Sequence, residues 1–313
     1  MEFSLLQKNY SEGSITKSEF IDQALTTHQT LWQYSEYLSA CDVHSITISE
    51  GKVCFVVGPE FVKLTAPIGE SRVAPLEILN FKSYEPVESQ AMNILACGAT
   101  AVLDVGANIG YHSIRLALRD PQLKVYSFEP LPSFAQSLQY NISLNNVGER
   151  VFSFNYGLSN ENGSFDFFLA PGNGTNVSLK NVANRLDAIR VIGLTMTLDD
   201  WVCNFGVHPE FLKIDVEGAE YLVLKGGMNY IQAHKPKILA ELLRKWSAPF
   251  GYHPNEVLNF MFNIGYRCWS LGDSGIVNIT SITDQTIETN FVFLHDHYHE
   301  STIAKLESLR LDG

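Results

Sequence analysis

Residues 101–129 constrain the fold more than any other stretch of this chain. Ala101–Val105 is a short apolar run, the pattern of a strand buried on both faces. Gly106 and Gly110 bracket a tight turn where side chains would be in the way. From Tyr111 the apolar spacing becomes that of a helix, through Ile114, Leu116 and Ala117. A second apolar run, Val125–Phe128, stops at an acid, Glu129. Strand, glycine turn, helix, strand and acid, in that order, describe a nucleotide-binding βαβ unit.

Each part of this unit implies a contact. The glycines let backbone N–H groups approach a ligand, and the start of the helix near Tyr111 favours negative charge. Glu129, at the end of the second strand, is placed to accept hydrogen bonds from two ribose hydroxyls. Asp104, beside the turn, can accept from an ammonium or hold the turn in shape. The turn reads Gly106-Ala-Asn-Ile-Gly110 and not G-x-G-x-x-G, so it lacks the close glycine pair that a pyrophosphate wants. An acid on the strand before the turn suits an amino-acid-bearing nucleoside better. S-adenosyl-L-methionine, with an ammonium, a carboxylate, a ribose and no phosphate, fits these demands.

Three stretches carry a family resemblance: Asp104-Val-Gly-Ala-Asn-Ile-Gly110, the triplet Phe128-Glu129-Pro130, and Lys213-Ile-Asp-Val-Glu-Gly-Ala-Glu220. Together they resemble the FkbM-type family of S-adenosylmethionine-dependent methyltransferases over roughly residues 81–295. The resemblance implies an α/β class I methyltransferase fold: a Rossmann-like, mostly parallel sheet of seven strands with helices on both faces. It implies methyl transfer to a hydroxyl of a small molecule, sugar or natural product. It adds Asn108 and Pro130 to the cofactor contacts, and places the segment Tyr84-Glu85-Pro-Val-Glu88 near the methionine end of the cofactor. Tyr84, Glu85 and Glu88 are candidate contacts there, although Glu88 also suits the first turn of a helix running to Leu95.

Composition narrows the partners. A net charge of −12 is the wrong sign for a non-specific nucleic-acid binder, and no stretch approaches the apolar length of a membrane helix. The five cysteines are scattered without a C-x-x-C pair, which points to free thiols in a reducing cytoplasm. The N-terminus lacks the basic start and apolar core of a signal peptide. The expected partner is a small-molecule or glycan acceptor.

The expected organisation is an N-terminal helical and β-hairpin appendage (1–82), a methyltransferase domain (83–299) and a polar C-terminal helix or tail (300–313). In the appendage, residues 1–15 read as a loose arm. Thr16-Lys-Ser-Glu19 is a capping box that starts a helix running to Ala40. That helix can pack on the main domain, pair two copies as a homodimer, or serve as a lid. Residues 44–65 alternate as hairpin strands, and residues 66–82 read as an irregular connection.

Downstream, Val151–Asn155 is the third strand, and Gly157 and Leu158 at its carboxyl end are placed to frame the adenine. Gly172–Ser178 reads as a mobile polar loop at the active-site wall. Phe211–Asp215 and Lys237–Glu241 are strands that end in acids. An acid at a buried strand end is costly unless used or paired. Asp215 and Glu241 are therefore candidates for binding or deprotonating the acceptor. Lys213 shares a strand face with Asp215 and can pair with an acid or steady a developing alkoxide. His253 is a loop histidine placed as a general base, and His112 is placed to pack or touch cofactor. Alternatives are N-methylation and a divalent cation held by Asp215, Glu217 and Glu241. An NAD-dependent oxidoreductase is disfavoured by the turn sequence, and a non-catalytic nucleoside-binding module by the strand-end acids. His295-Asp-His-Tyr-His-Glu300 looks like a metal cluster but follows the last strand without a zinc-type partner elsewhere, and reads as a solvated tail.

Overall fold

The structure is a computed structural model that describes residues 3–170, 173–179, 189–272 and 275–308. The N-terminal part holds α1 (Phe3–Ser11), α2 (Lys17–Ser39), an antiparallel sheet of β1 (Val43–Ser49), β2 (Lys52–Val57) and β3 (Val62–Thr65), then α3 (Ala74–Phe81) and α4 (Pro86–Leu95). The capping box forms as its sequence requires: Glu19 N donates to the Thr16 hydroxyl, and Thr16 N donates to the Glu19 carboxylate. Residues 3–11 are a helix against α2 and not a loose arm, because the rings of Phe3, Tyr10 and Phe20 pack together. Residues 74–81, expected to be irregular, are helical. Pro75 stands in the first turn of α3, where its missing N–H costs nothing. Along α2 only Ala24 is buried, while Leu31, Trp32 and Tyr37 are exposed.

The main domain runs β4 (Ala101–Val105), α5 (Tyr111–Arg119), β5 (Lys124–Phe128), α6 (Pro132–Leu144) and β6 (Val151–Phe154). An excursion comes next: β7 (Gly157–Leu158), β8 (Gly163–Ala170), β9 (Asn173–Ser178) and β10 (Ile189–Met196), forming a four-stranded sheet. The expected loop 172–178 is in part this strand; Asn173–Ser178 pairs with β8, and Gly172 lies outside the described residues. The chain continues through α7 (Leu198–Phe205), β11 (Phe211–Ile214), α8 (Glu220–Gly226), α9 (Met228–His234), β12 (Lys237–Glu241), α10 (Arg244–Ser247), α11 (Pro254–Phe262), β13 (Tyr266–Gly272), β14 (Gly275–Ile279), β15 (Asn290–His295) and α12 (Glu300–Glu307).

The central sheet has the order β14-β13-β15-β12-β11-β4-β5-β6. Strands β6, β5, β4, β11 and β12 are parallel, and β15 runs antiparallel to both β12 and β13. This is the mostly parallel sheet that the resemblance implies, widened from seven strands to eight because β14 folds back on β13. Alternate residues of each strand feed two cores. Val102 and Val125 face a core with Ile114, Leu138, Met92 and the N-terminal sheet. Leu103, Val105 and Ile214 face one with Trp201, Leu224 and Ile231.

Two contacts dock the terminal elements onto this domain. Arg115, 1% exposed, donates to Asn93 Oδ1 at 2.7 Å and pairs with Glu60 at 3.6 Å, which staples the N-terminal sheet to α5 and α4. Helix α12 buries Thr302, Ile303 and Leu306, and Trp269 Nε1 donates to Glu307, so of the two readings of this segment the helix is the one that forms, and it is packed. No helix among the described residues is long and apolar enough to cross a membrane.

Candidate active site

The carboxyl ends of β4, β5, β11 and β12 open into one cavity of about 530 Å³. Gly106, Glu129, Asp215 and Glu241 reach it from these four ends, and Pro130, Gly157 and Leu158 close its far side. The facing wall comes from the segment Arg72–Glu77, from Ser83–Glu85, and from Lys245 and Trp246. Helix α2 contributes nothing to the lining, so the N-terminal part reaches the cavity through residues 72–85 and not through its long helix.

The glycine turn is dictated by crowding. Gly106 has φ +83°, and a Cβ there would lie 1.8 Å from the carbonyl oxygen of Asp215. No side chain fits, so the turn passes directly over the end of β11. Gly106 and Ala107 donate to Phe128 O, tying the turn to β5. Asn108 also takes a left-handed φ of 52°; its side chain accepts from Ile109 N at 2.7 Å, the local bond that lets Asn tolerate this region. Its own N–H donates to Glu129 Oε2 at 3.0 Å, while Leu131 N donates to Oε1 at 3.0 Å. Glu129 is thus held by one bond on each oxygen, with further lone pairs left for a ligand. Burial pushes its carboxyl up to about 7, against these two bonds.

Below the cavity floor lies a polar row that strand register creates. Ser127 pairs with Asp104, and Asp104 with Lys213, on three neighbouring parallel strands. Lys213 Nζ lies 3.4 Å from Asp104, 3.2 Å from Asp215 and 3.2 Å from Gly106 O. Ser113 donates to Asp104 at 2.5 Å and accepts from Ser127 at 2.7 Å. Burial works to lower the Lys213 pKa, but Asp215 and Asp104 outweigh it and hold the ammonium above its ordinary range. Lys213 is therefore a fixed cation bracing the glycine turn and Asp215.

The rest of the cavity is rich in acid. Glu217, in the loop after β11, is pushed up to about 9 by burial, reinforced by the Asp215 and Glu220 carboxylates. Burial, then Asp215 and Glu217, push Glu241 well above the carboxylate range. Glu220 is raised by burial to about 7, opposed by its bonds from Val216 N and Gly218 N. These folded-state values lie above the unfolded one near ~4.3. Each group therefore contributes stability that is full below that value and lost as pH rises through its folded pKa. The thermal midpoint of the ligand-free protein is expected to fall between pH 6 and 9, through about 7 for Glu129 and Glu220 and about 9 for Glu217. A midpoint that rises steadily across this range, followed by circular dichroism, would count against a buried acid cluster.

Four of the sequence candidates have other duties. His253 is exposed and lines no part of the cavity; its Nδ1 accepts from Asn255 N at 3.1 Å, capping α11 in a box with Glu256. His253→Ala is expected to leave nucleoside binding unchanged and to cost about 1 kcal/mol of stability in a urea melt. Asp104 is 1% exposed beneath the floor and serves as counter-ion to Lys213, not as a cofactor contact. Gly110 (φ +93°) is a packing glycine, since a Cβ would meet Leu138 Cδ1 at 2.4 Å. Glu88 lines not the main cavity but a small pocket that shares Glu85, Lys213, Asp215 and Glu241 with it, and accepts from Asn290 Nδ2 at 3.0 Å.

Tyr84 and Glu85 do face the cavity. Glu85 Oε2 lies 2.8 Å from His112 Nε2, and His112 is 6% exposed, also lining the cavity, with no hydrogen-bond partner on Nδ1. Burial would raise the Glu85 carboxyl; the bond from His112, together with the Lys213 charge and the Tyr84 hydroxyl, holds it low. Arg72, Lys245, Trp246 and the Ser113–Ser127 pair are additions that sequence reasoning missed. Apart from Lys245 and Trp246, neighbours on α10, they come from separate elements with no local spacing to link them. The His295–Glu300 stretch is solvated only in part, through His297, Tyr298 and Glu300. His295 and His299 are buried, His295 N donates to His299 Nδ1 at 2.9 Å, and burial lowers His299 to about 4.

Asp215, Glu217 and Glu241 line one cavity, but among the described residues no group of three His, Cys, Asp or Glu side chains is arranged to hold a metal ion.

Residues 104–268, more than half of the chain, match the model of the methyltransferase FkbM domain. A stretch of 157 residues is 31% identical to methyltransferase sdnD of Sordaria araneosa, covering 40% of this chain and 59% of that protein. Another of 133 residues is 32% identical to hexuronic acid methyltransferase AglP of Haloferax volcanii, covering 42% and 51%. The match thus spans between half and three-fifths of these relatives' lengths. Among solved structures, methyltransferase FkbM from Methylobacillus flagellatus KT aligns with a TM-score of 0.40 at 18% identity, over 62% of this chain and 43% of that one.

Proposed function

The chain belongs to the FkbM methyltransferase domain family, and from that premise we propose that it transfers a methyl group from S-adenosylmethionine to a hydroxyl of a small molecule, sugar or natural product. One observation carries the choice of cofactor. The carboxyl groups of Glu85, Glu129, Asp215, Glu217 and Glu241 surround a cavity whose floor is a glycine turn. Such a cavity suits a ligand bearing positive charge and repels the diphosphate of a dinucleotide. The unpartnered Nδ1 of buried His112 adds a polar atom waiting at the same wall.

When bound, S-adenosylmethionine supplies an electrophilic methyl group on a sulfonium. Glu129 would accept from the two ribose hydroxyls, and Pro130, Gly157 and Leu158 would frame the adenine. Asp104, Ser113 and Lys213 brace the floor from below, while Asp215 presents its charge to the cationic end. Glu85 and Tyr84 stand beside the amino-acid portion. The acids on the Arg72–Trp246 side are left for the acceptor, where positioning and proton removal are required. The relative named for hexuronic acid, matched over 42% of the chain, supports sugars among the acceptors to be tried.

Calorimetric titration with S-adenosylmethionine, S-adenosylhomocysteine and NAD tests the reading. Binding of the first two without NAD is expected. The next step is a screen of hydroxyl and amine acceptors with methyl-labelled cofactor, read by label transfer. Binding of NAD in preference to either nucleoside would overturn the proposal.

A further inference from the structure

The loop after β11 is built to aim one side chain. Glu217 has φ 53°, a left-handed conformation that a glutamate adopts at a cost. Its neighbours over-determine it. The Glu220 carboxylate accepts from Val216 N and from Gly218 N, both at 3.0 Å, clamping the N–H groups on either side of residue 217. Gly218 has φ +99°, and a Cβ there would lie 2.3 Å from Trp246 O, so the loop is pressed against the segment after β12. Tyr252 donates to Gly218 O at 2.8 Å and locks the far side. The side chain of Glu217 lines the cavity on the Trp246 side, away from Glu129. Backbone strain held this firmly marks a functional position.

Resting on the methyltransferase reading, we propose that Glu217 is the residue that takes the acceptor's proton, and that the cofactor's positive charge is what ionises it. The groups around it support this. Asp215 and Glu220 act on it from its own loop and Glu241 from β12; Lys245 from α10 and Arg72 from the segment before α3 oppose them. Lys213, the cation buried nearest Asp215, is already committed to Asp104, Asp215 and Gly106 O. Without a ligand the cluster is short of positive charge, and Glu217 holds a proton, as its raised value of about 9 indicates. A sulfonium in the same cavity reverses that balance. In the transfer, the acceptor O–H proton moves to the Glu217 carboxylate, the oxygen forms the new C–O bond, and the C–S pair stays on sulfur. One positive and one negative charge disappear together. Asp215 is less suited because Lys213 holds it, and His253 because it caps α11.

The test needs no acceptor. Binding of S-adenosylmethionine and of S-adenosylhomocysteine, which lacks the sulfonium charge, is measured by calorimetry near pH 8 in two buffers of different ionisation enthalpy. The cofactor is expected to release about one proton more than the thioether. In Glu217→Gln that excess is expected to vanish while S-adenosylhomocysteine still binds, which shows the variant is folded. Equal proton counts in the wild-type protein overturn the inference alone. So does an excess that survives in Glu217→Gln, or one that disappears in Glu241→Gln instead. Failure of both nucleosides to bind overturns the cofactor reading, and this inference with it.

Discussion

Glu129→Ala is expected to weaken S-adenosylhomocysteine binding by at least about a hundredfold in a calorimetric titration. A hydrogen bond to a charged acceptor contributes about 1.5–3 kcal/mol, so losing two from the ribose removes about 3–6 kcal/mol. At about 1.4 kcal/mol per factor of ten, that is two to four orders of magnitude. The loss is not confined to the ligand. Asn108 N and Leu131 N each donate to a different oxygen of Glu129, and alanine strands both. Glutamine is no conservative rescue here, since its amide NH₂ must face one of those two N–H groups. The wild-type protein has a companion signature. With the ribose hydroxyls donating to the ionised carboxylate, as proposed, and burial setting the free carboxyl at about 7, affinity is expected to fall as pH drops below that value. A flat affinity profile from pH 8 to 5.5 would place the ribose elsewhere.

Lys213→Met is expected to destabilise the protein by about 3–5 kcal/mol in chemical denaturation, because it leaves a buried charge without its partner. Asp104 is 1% exposed, and beyond Lys213 its contact is the Ser113 hydroxyl. The double variant Lys213→Met with Asp104→Asn removes both charges and is expected to recover much of the loss. The non-additivity is the decisive readout. If the single losses simply sum in the double variant, the two side chains do not act as a pair. Recovery of stability need not restore binding, since Asp215 and Gly106 O would still lack the ammonium that braces them.

The sequence by itself determined those elements whose signals are local. The strand Ala101–Val105, the glycine turn and the acid at Glu129 are contiguous, and each stands where its apolar spacing or backbone demand puts it. The capping box at Thr16 is a four-residue code and folds as one. Lys213 and Asp215 are two apart on a strand end, so their shared face is legible without coordinates.

Tertiary structure decided which residues meet. Asp104 looks like a ligand contact beside its turn; the parallel register of β4 and β11 sets it against Lys213 and turns it into a counter-ion. Gly110 looks like a ligand glycine until Leu138 of α6 arrives over it. His253 is the exception: its box with Glu256 is as local as the one at Thr16, and its cap was there to be read in the sequence. The orientation of Glu217 depends on Glu220, Tyr252 and Trp246, brought together by the packing of α8 against the segments beyond β12. Backbone propensity and side-chain periodicity act over a few residues, so sequence carries them. Ion pairing, steric exclusion and burial act across space, so they exist only once the strands have found their register.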